Sequence, residues 1–471
     1  MTHSRDQAAP DEARTAGPAG RPAVRDALRD EPAWVRHAVW WHVYPLGFVD
    51  AFPVRSHVPG PDEHRLRRLL PWLDHAVELG ASGIALGPVL ASSTHGYDTV
   101  DHRRVDPRLG TEADLDELIA QSHARGLKVQ LDGVFNHVGR EHPLVQAALA
   151  GGPTSEAGRW VRWRDGADGP EPDVFEGHDG LVALDHDEPL VADLVVDVMT
   201  GWLDRGIDAW RLDAAYAVPE RFWAQVLPRV RAAHPDVWIS AEVIHGDYAG
   251  FVAASGVDSV TQYELWKAVW SSLEDRNLWE LDHALGRHSA MLAEFVPTTF
   301  VGNHDVTRIA SRLTDPRHLP LTVVLLALLG GTPSVYAGDE YAFRGVKEDR
   351  AGGDDAVRPP FPAPDELVAP DERLHRLYGD LIGLRRRHAW LHRARTRTLH
   401  LTNTQILLEL TAQGRSLLLA LHLDDTPWAL PTDVAAHAVL DASDGSTPGV
   451  VGPHGWMVLT GTPGDDDELD G

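Results

Sequence analysis

The stretch KVQLDGVF, residues 128–135, decides the fold, and DAWRLDA (208–214) repeats its pattern of an apolar run that ends beside an aspartate. Short apolar runs of this kind are typical of parallel strands that are buried on both faces. Six further runs have the same character: VWWHVYPLGF (39–48), GIALGPV (83–89), DVWISAEV (236–243), SVTQYEL (259–265), TTFVGN (298–303) and TPSVYAG (332–338). Segments with helical spacing of their apolar residues lie between them. Eight strands with helical connections predict an α/β fold, a (β/α)₈ TIM barrel, with a doubly wound open sheet as the alternative, because periodicity does not show closure.

Composition changes along the chain and predicts several parts. A connection rich in Gly, Pro, Trp and acidic residues follows the third strand, and its length predicts a small inserted domain, because long structureless loops are unusual in compact domains. After the last helical pattern, apolar and polar residues alternate around AQGRS, which predicts an antiparallel C-terminal β domain. The predicted parts are a flexible leader (1–30), the barrel (31–137 and 191–394), the insert (138–190), the C-terminal β domain (395–462) and an acidic tail (463–471).

The composition excludes several classes of function. With 43 basic and 70 acidic residues the net charge is −27, which would repel the phosphates of a nucleic acid. The chain has no cysteine, so disulfides, thiolate metal sites and a cysteine nucleophile are excluded. No run of 18 apolar residues occurs, which predicts no membrane span. The first residues lack the apolar stretch of a secretory signal, so we expect a cytoplasmic protein.

Carboxylates and imidazoles collect where the predicted strands end, which is where a barrel enzyme carries its chemistry. A lone aspartate in such a place caps a helix more often than it catalyses, so the inference depends on the joint occurrence at four strand ends. These residues are Asp132, Asn136 and His137 after the third strand, Arg211 and Asp213 after the fourth, Glu242 and His245 after the fifth, and Asn303, His304 and Asp305 after the seventh.

Two of these carboxyl groups are expected to lie in unlike environments. Arg211 and Asp213 are two residues apart on one strand and share a face, so the guanidinium should lower the pKa of Asp213 and keep it ionised, as a nucleophile requires. Glu242 has apolar neighbours and should face other carboxylates, both of which favour the protonated form that an acid needs. Glycoside hydrolysis uses such a pair, and a separation of about 5–5.5 Å would retain the anomeric configuration.

At these positions the chain resembles the α-amylase superfamily of retaining α-glycoside hydrolases. Four strings look like the conserved regions of that superfamily, in the same order: LDGVFNH (131–137), AWRLDAAY (209–216), SAEVIHGD (240–247) and FVGNHD (300–305). Further matches are THGYDTVDHRRVDPRLGT (94–111), HVYPLGF (42–48) and GGTPSVYAGDE (330–340). The resemblance runs from about residue 39 to 462. It implies the barrel, the insert as domain B and a C-terminal β-sandwich as domain C.

The resemblance also implies roles for individual residues. Asp213 would be the nucleophile, Glu242 the acid/base and Asp305 the third catalytic carboxylate, which grips sugar hydroxyls. The implied substrate-binding residues are Tyr97, Asp98, His137, Arg211, Tyr216, His245, Asn303 and His304, with Tyr97 stacking on the sugar and Arg211 orienting the nucleophile. No cofactor is required. A structural calcium ion between barrel and domain B would use Asn136, whereas Asp132 supports the site from below.

Departures from the superfamily pattern point to a small substrate. Tyr216 and Ala217 stand where many starch-cutting members have Lys-His, and Ile244 stands where cyclodextrin-cleaving relatives have a tryptophan. The loss of these contacts favours short or cyclic maltooligosaccharides over starch, as in the cyclomaltodextrinase, neopullulanase or cyclic maltosyl-maltose hydrolase branches. A homodimer is left open by analogy with intracellular relatives.

Three alternatives remain at this point. The first is a transglycosylase or isomerase on the same scaffold, since only the acceptor of the covalent intermediate differs. The second is a hydrolase that binds a divalent metal through Asp132, His137, Glu242 and His304, which a fixed guanidinium at Arg211 opposes. The third is a catalytically inactive sugar-binding homologue, which the presence of all three catalytic carboxylates opposes.

Overall fold

The computed structural model describes residues 31–53, 57–167, 169–350 and 352–461; the predicted leader (1–30) and acidic tail (463–471) lie outside these residues. Within them, eight parallel strands form the central sheet. They are β1 (Trp40–Val43), β2 (Gly83–Leu86), β3 (Lys128–Gly133), β4 (Ala209–Leu212), β5 (Trp238–Ala241), β6 (Ser259–Val260), β7 (Thr298–Phe300) and β8 (Thr332–Tyr336).

The order of the strands closes the sheet into a barrel. Neighbouring strands follow the order β6-β5-β4-β3-β2-β1-β8-β7. A parallel bridge between Thr261 and Thr298 joins the two ends, and the amide of Gln262 donates to the Thr298 carbonyl at 2.9 Å. The predicted (β/α)₈ barrel is therefore confirmed, and the doubly wound open sheet is wrong.

Helices surround the barrel and connect its strands. Along the described chain they are α1 (Trp72–Glu78), α2 (Glu112–Ala124), α3 (Pro189–Asp204), α4 (Glu220–Ala233), α5 (Tyr248–Ser255), α6 (Tyr263–Glu274), α7 (Leu278–Met291), α8 (Leu319–Leu328) and α9 (Glu372–Arg387), with further α-helical segments at Pro45–Phe48, Pro143–Gly151 and Ile309–Arg312. Leu131, Trp210 and Ile239 on the strands are completely buried in the core that joins the sheet to these helices.

The amino-terminal end of the barrel is filled by aromatic side chains. Trp40 and Trp238 stack with their ring centroids 5.7 Å apart, and Ala85 and Ala209 complete this small cluster. Trp34 packs against both rings edge to face. The barrel is a packed core and not a pore, so polar chemistry is confined to the carboxyl ends of the strands.

The insert folds onto the mouth of the barrel. Strand His137–Gly139 pairs with Leu181–Ala183 in antiparallel fashion. Between them lie the helix Pro143–Gly151 and a hairpin of strands Trp163–Gly166 and Gly169–Pro172. Because its first strand begins at His137, one residue before the predicted boundary, the insert is held directly against the end of β3.

The C-terminal part is an antiparallel sheet, as predicted. Its strands are β9 (Arg395–Leu401), β10 (Gln405–Ala412), β11 (Arg415–His422), β12 (Val439–Ala442) and β13 (Trp456–Thr460), in the spatial order β9-β10-β11-β13-β12. The turn between β10 and β11 falls at Gln413 and Gly414, both with positive φ, inside the predicted AQGRS turn. One face of this sheet shares its core with the barrel.

Two of the predicted strands differ from the structure. The run 259–265 was expected to be one strand, but β6 covers only Ser259–Val260 and helix α6 already begins at Tyr263. Gln262 caps that helix by accepting from the amides of Glu264 and Leu265. The run 39–48 divides similarly into β1 and the short helix Pro45–Phe48. None of the described helices is long and apolar enough to cross a lipid bilayer.

Candidate active site

The three predicted catalytic carboxylates lie at the carboxyl ends of three barrel strands. Asp213 follows β4 directly, Glu242 follows β5, and Asp305 comes in the segment after β7. Asp213 and Glu242 are each 7% exposed, whereas the side chain of Asp305 is 30% exposed. The mouth of the barrel therefore collects acidic groups that are largely removed from water.

Arg211 holds the floor of this cluster together. Its Nη1 lies 2.5 Å from Oδ2 of Asp132 and 3.3 Å from Oδ1 of Asp213, and its Nη2 lies 2.8 Å from Oε1 of Glu242. Arg211 and Asp213 thus make the contact that their two-residue spacing predicted. The guanidinium also reaches the Glu242 carboxylate, which links the two predicted reacting groups through a single cation.

Arg211 lowers the pKa of Asp213 as predicted, but the net shift is upward and not downward. Burial raises the pKa of Asp213 well above its usual range, the nearby Glu242 charge raises it further, and Arg211 offsets this only in part. Burial is the main cause, and the guanidinium also faces the carboxylates of Asp132 and Glu242. Without substrate, the cluster has an excess of negative charge and favours a proton on Asp213.

Glu242 is fixed by two neutral donors in addition to Arg211. The backbone amide of Ala214 donates to Oε2 at 3.0 Å, and the hydroxyl of Tyr263 donates to Oε1 at 3.2 Å. Ala214 has φ +44°, which is unusual for a residue with a side chain, and such strained backbone is concentrated at functional sites. The strained turn after Asp213 aims its amide at the other reacting carboxylate.

Asp305 is held by a separate pair of partners. Nη2 of Arg358 lies 2.6 Å from Oδ1, and Nε2 of His304 lies 3.0 Å from Oδ2. Although burial raises the pKa of Asp305, interactions with His304 and Arg358 outweigh it and hold the pKa well below its usual range. Asp305 is therefore ionised in the ligand-free protein, in contrast to Asp213.

Tyr97 connects the carboxylates around Arg211 with the partners of Asp305. Its hydroxyl donates to Oδ2 of Asp132 at 3.2 Å and contacts Nε2 of His304. The Tyr97 and His304 rings are stacked, with centroids 5.5 Å apart and planes only 6° apart. Asn303 makes a second connection, because its amide donates to the Tyr263 hydroxyl at 3.1 Å. All three acidic residues consequently belong to one continuous hydrogen-bonded network.

These features agree with a comparison against known proteins. A profile of the alpha-amylase catalytic domain matches residues 66–363, which is more than half of the chain. The chain belongs to the alpha-amylase family of glycoside hydrolases. The predicted family resemblance and the predicted enzyme class are thereby confirmed.

Two bacterial relatives match about two thirds of this chain. It is 31% identical to a cyclomaltodextrinase of Geobacillus thermopakistaniensis over 343 residues, 68% of this chain and 58% of that protein. It is 30% identical to a maltogenic alpha-amylase of Bacillus acidopullulyticus over 342 residues, 67% of this chain and 58% of that protein. The matched region thus spans less than two thirds of the length of these relatives.

A solved structure with the same architecture covers nearly the whole chain. The ligand-free cyclic α-maltosyl-(1→6)-maltose hydrolase of Arthrobacter globiformis superimposes with a TM-score of 0.77 and 25% identity, covering 91% of this chain and 99% of the other. This alpha-amylase-family chain and that hydrolase therefore share one overall architecture along almost their full lengths.

Two residues predicted to bind sugar are occupied by protein partners in this family member. Nε2 of His137 donates to the carbonyl of Tyr97 at 3.0 Å, and Nδ1 accepts from the Asn136 amide. Burial lowers the pKa of His137 to about 3, so the ring is neutral. Both carboxylate oxygens of Asp98 accept from Thr94, at 3.1 and 2.7 Å. Their direct contacts with substrate remain predictions.

Tyr216 and His245 lie at the rim of the site, where the Tyr216 amide donates to the Glu242 carbonyl at 3.3 Å. Their rings meet edge to face with centroids 6.3 Å apart. The Tyr216 hydroxyl donates to Oε1 of Glu176 in the insert at 2.7 Å. Beside Glu176, the ring of Phe175 stacks on His137 with centroids 4.8 Å apart. The insert thus reaches across the rim and contacts residues from the ends of β3 and β4.

Sequence reasoning missed two polar residues of this alpha-amylase-family site. Arg358 lies in a segment of irregular composition after β8, where no periodic pattern marks its position. Tyr263 was read as part of a strand, although the start of α6 turns its hydroxyl toward Glu242. A cap residue before it, Gln262, is the signal in the sequence that could have located the helix start.

The calcium ion between barrel and insert stays a prediction. Among the acidic residues of the insert, Asp173 binds Arg162 through Oδ2 at 2.7 Å and accepts from the Val174 amide through Oδ1. Asp165 and Asp179 are exposed, and Asp168 lies outside the described residues. The amide nitrogen of Asn136 lies 3.0 Å from Nδ1 of His137, and its Oδ1 is the atom that a calcium ion would contact.

Proposed function

We propose that the chain is a retaining α-glucan hydrolase that cleaves α-1,4 or α-1,6 bonds, or both, in short or cyclic maltooligosaccharides by double displacement. The observation that carries the proposal is the contact of one guanidinium, Arg211, with both Asp213 and Glu242 in a buried site. Because both carboxyl groups contact the same guanidinium, they lie close enough to act on the two sides of one glycosidic bond.

In the first step Asp213 attacks the anomeric carbon while Glu242 protonates the leaving oxygen. In the second step Glu242 takes a proton from water, which opens the glycosyl ester on Asp213. Asp305, ionised and fixed by Arg358, would accept hydrogen bonds from hydroxyls of the same sugar. Tyr97, stacked on His304, would provide the flat surface beneath it.

The state of Asp213 has a consequence for substrate binding. Nucleophilic attack requires the carboxylate, whereas the ligand-free cluster favours the protonated form. A sugar that places its glycosidic oxygen against Glu242 favours the proton on Glu242, where the reaction needs it, and leaves Asp213 ionised. The competent free enzyme carries this one proton, so the raised pKa of Asp213 sets the alkaline limb of the kcat/KM profile, which should lie above the ordinary aspartate range.

The residues at the rim of the site favour a small substrate. Ile244, 40% exposed, stands beside Glu242 and offers no ring for stacking on a sugar. The contact between Glu176 and Tyr216 closes part of the acceptor side. The names of the relatives, cyclomaltodextrinase and cyclic α-maltosyl-(1→6)-maltose hydrolase, favour cyclic glucans among short substrates. A cytoplasmic location and a homodimer remain predictions.

The test compares Asp213→Asn and Glu242→Gln on linear, branched and cyclic α-glucans, with products separated by chromatography. We expect losses in kcat of about 10²–10⁴-fold for Glu242→Gln and at least as large for Asp213→Asn. With 4-nitrophenyl α-maltoside, whose leaving group departs without protonation, Glu242→Gln should still release nitrophenol in a first turnover and Asp213→Asn should not.

The matched control is Asp187→Asn, an exposed carboxylate paired with Arg221, which should keep full activity. NMR should show the α-anomer as the first product. Wild-type turnover in either active-site variant would overturn the proposal.

Predominant transfer products at high sugar concentration would favour a transglycosylase. Loss of activity with EDTA that zinc or manganese restores would favour a metal hydrolase, although Arg211 occupies the position between the carboxylates.

A further inference from the structure

A second polar cluster lies at the junction of the barrel and the C-terminal sheet, and no step of the proposed reaction uses it. Asp315 and His318 belong to the segment before α8, and His454 belongs to the turn before β13. His318 and His454 are 2% and 8% exposed. Ligand atoms of all three side chains lie within 4.8 Å of one another, and no other such group of three occurs among the described residues.

The imidazole rings of His318 and His454 face each other through one nitrogen of each ring. Nε2 of His318 lies 3.1 Å from Nδ1 of His454. Nε2 of His454 donates to Oδ1 of Asp425 at 2.9 Å, so a neutral His454 has no proton on Nδ1. Nε2 of His318 therefore faces a lone pair, and the space between the two nitrogens holds either the proton of His318 or a cation.

We propose that His318, His454 and Asp315 bind a divalent transition metal ion, with zinc as the best match. Imidazole nitrogen and carboxylate oxygen are ligands that zinc takes readily. In a tetrahedral site with Zn–N bonds of about 2.0–2.1 Å, two nitrogens lie about 3.3 Å apart. The 3.1 Å separation of His318 and His454 is close to this spacing.

The partners outside the cluster support the same assignment. A metal-binding histidine usually donates its other N–H to a carboxylate or a backbone carbonyl, which fixes the tautomer and ring orientation. Asp425 accepts from Nε2 of His454 in this way. His454 has φ +48°, a conformation that residues with a side chain rarely adopt, and this turn directs its ring at His318. The His454 ring is thus fixed by a partner on the side away from His318.

Arg317 is the guanidinium that contacts the acidic groups around the cluster. Its Nη2 lies 2.7 Å from Asp315 and its Nη1 lies 2.8 Å from Asp425. Its side chain is 55% exposed, so water screens its charge, unlike that of the buried Arg211. Asp315 also accepts from the backbone amide and Nε of Arg317, so a metal ion would replace part of these exposed contacts. Arg276 is a further nearby cation and pairs with Asp424.

The position of the site gives the metal a structural role. Asp315 and His318 are provided by the barrel, and His454 is provided by the C-terminal domain. A bound ion would join the two parts at one point, and it would stabilise the folded chain because the unfolded chain does not hold the ligands together. This inference is independent of the proposed function.

Zinc binding to the purified full chain tests the proposal. We expect one zinc ion per chain after dialysis, measured by mass spectrometry, and a rise in Tm with zinc. Co²⁺ should give the visible absorption of a tetrahedral site. His318→Gln and His454→Asn should each weaken zinc binding more than about tenfold and abolish the zinc-dependent rise in Tm. Asp315→Asn, a small change at a half-buried position, provides a third variant if a histidine variant does not fold.

The control is His400→Gln, since His400 contacts Gln405 and not another histidine. This variant should bind zinc like the wild type. The chain has 26 histidines, so this comparison shows whether zinc binding depends on His318 and His454 in particular. Binding of less than one equivalent, or equal affinity in the wild type and both cluster variants, would overturn the proposal and leave a shared proton between the rings.

Discussion

Arg211 sets the electrostatics of the site because it is a single guanidinium in contact with three carboxylates. Because Asp213 is buried and lies beside Glu242, it is protonated more readily in the folded chain than in the unfolded chain, and Arg211 offsets this only in part. A group whose folded pKa is raised contributes stability below its unfolded pKa, about 4, and loses that contribution as pH rises through the folded value. Asp213 therefore destabilises the ligand-free fold at neutral pH.

Asp213→Asn should for this reason give an inactive protein that is more stable than the wild type at neutral pH. The gain should shrink as the pH falls toward about 4, because protonated Asp213 is then as uncharged as the asparagine that replaces it. Thermal unfolding followed by circular dichroism at both pH values measures the difference. Asp187→Asn provides the comparison for an exposed carboxylate, and a gain that grows toward low pH would contradict the charge argument.

Tyr263 acts on Glu242 through a hydrogen bond, so it is a positioning residue. Tyr263→Phe removes the donor at 3.2 Å and leaves Arg211 and the Ala214 amide in place. A hydrogen bond to a charged group contributes about 1.5–3 kcal/mol, so we expect kcat to fall by about 10–150-fold with KM little changed. The pH profile of kcat should shift as well, which a merely structural role would not cause. Unchanged kcat would remove Tyr263 from the site.

At the scale of single residues, the sequence predicted the groups that follow strands and missed those that do not. Asp213, Glu242 and Asp305 follow regular strands, so their positions could be read from hydrophobic patterning. Arg358 reaches Asp305 from an irregular segment, and no local rule places such a side chain in space. The net direction of the Asp213 pKa shift differs from the prediction as well, because it depends first on the depth of burial and then on the nearby Glu242 charge, which the sequence does not give.

Among the elements, the insert contributes a strained turn to the mouth of the barrel. Glu176 has φ +47° and places its carboxylate 2.7 Å from the Tyr216 hydroxyl. Non-glycine residues in this conformation carry a local energetic cost, which the contact helps to offset. Glu176→Gln and Tyr216→Phe should therefore weaken the closure of the rim and raise kcat/KM on long amylose relative to a cyclic substrate.

A double-mutant cycle measures this contact. Because Glu176 is exposed, we expect a coupling of only about 0.5–1 kcal/mol between the two substitutions. Arg164→Gln, on the hairpin of the same insert, serves as the control, since Arg164 pairs with Glu171 and not with the barrel. Fully additive effects of Glu176→Gln and Tyr216→Phe would show that the contact does not close the rim.

The boundary between β6 and α6 is a feature that the sequence pattern does not predict. The run SVTQYEL has strand-like composition throughout, yet the chain changes from β6 to α6 within it. Tertiary context decides this, because Thr261 bridges to Thr298 to close the barrel and Gln262 then caps the helix. A closure contact between residues so far apart in the chain has no signature in either segment alone.

For the whole molecule, the barrel and one face of the C-terminal sheet form a continuous core. Leu419 on β11 is completely buried in the cluster that includes the barrel, whereas its neighbour Leu418 points to a separate cluster with Trp428 and Met457. Alternation along the strand places the two leucines on opposite faces. The C-terminal domain therefore contributes to the stability of the catalytic barrel and does not only extend it.

This arrangement predicts unfolding in which barrel and sheet are coupled. Leu419→Ala should destabilise the protein by about 2–5 kcal/mol through the lost contacts and the cavity. Calorimetry should then show a single transition at lower temperature, with catalytic activity lost over the same range. Leu418→Ala, one residue away in the separate buried cluster, should lower the same single transition, because coupled parts unfold together. If Leu419→Ala instead gave a separate early transition while activity persisted to the wild-type temperature, the sheet would be an independent domain, because its melting would leave the barrel intact.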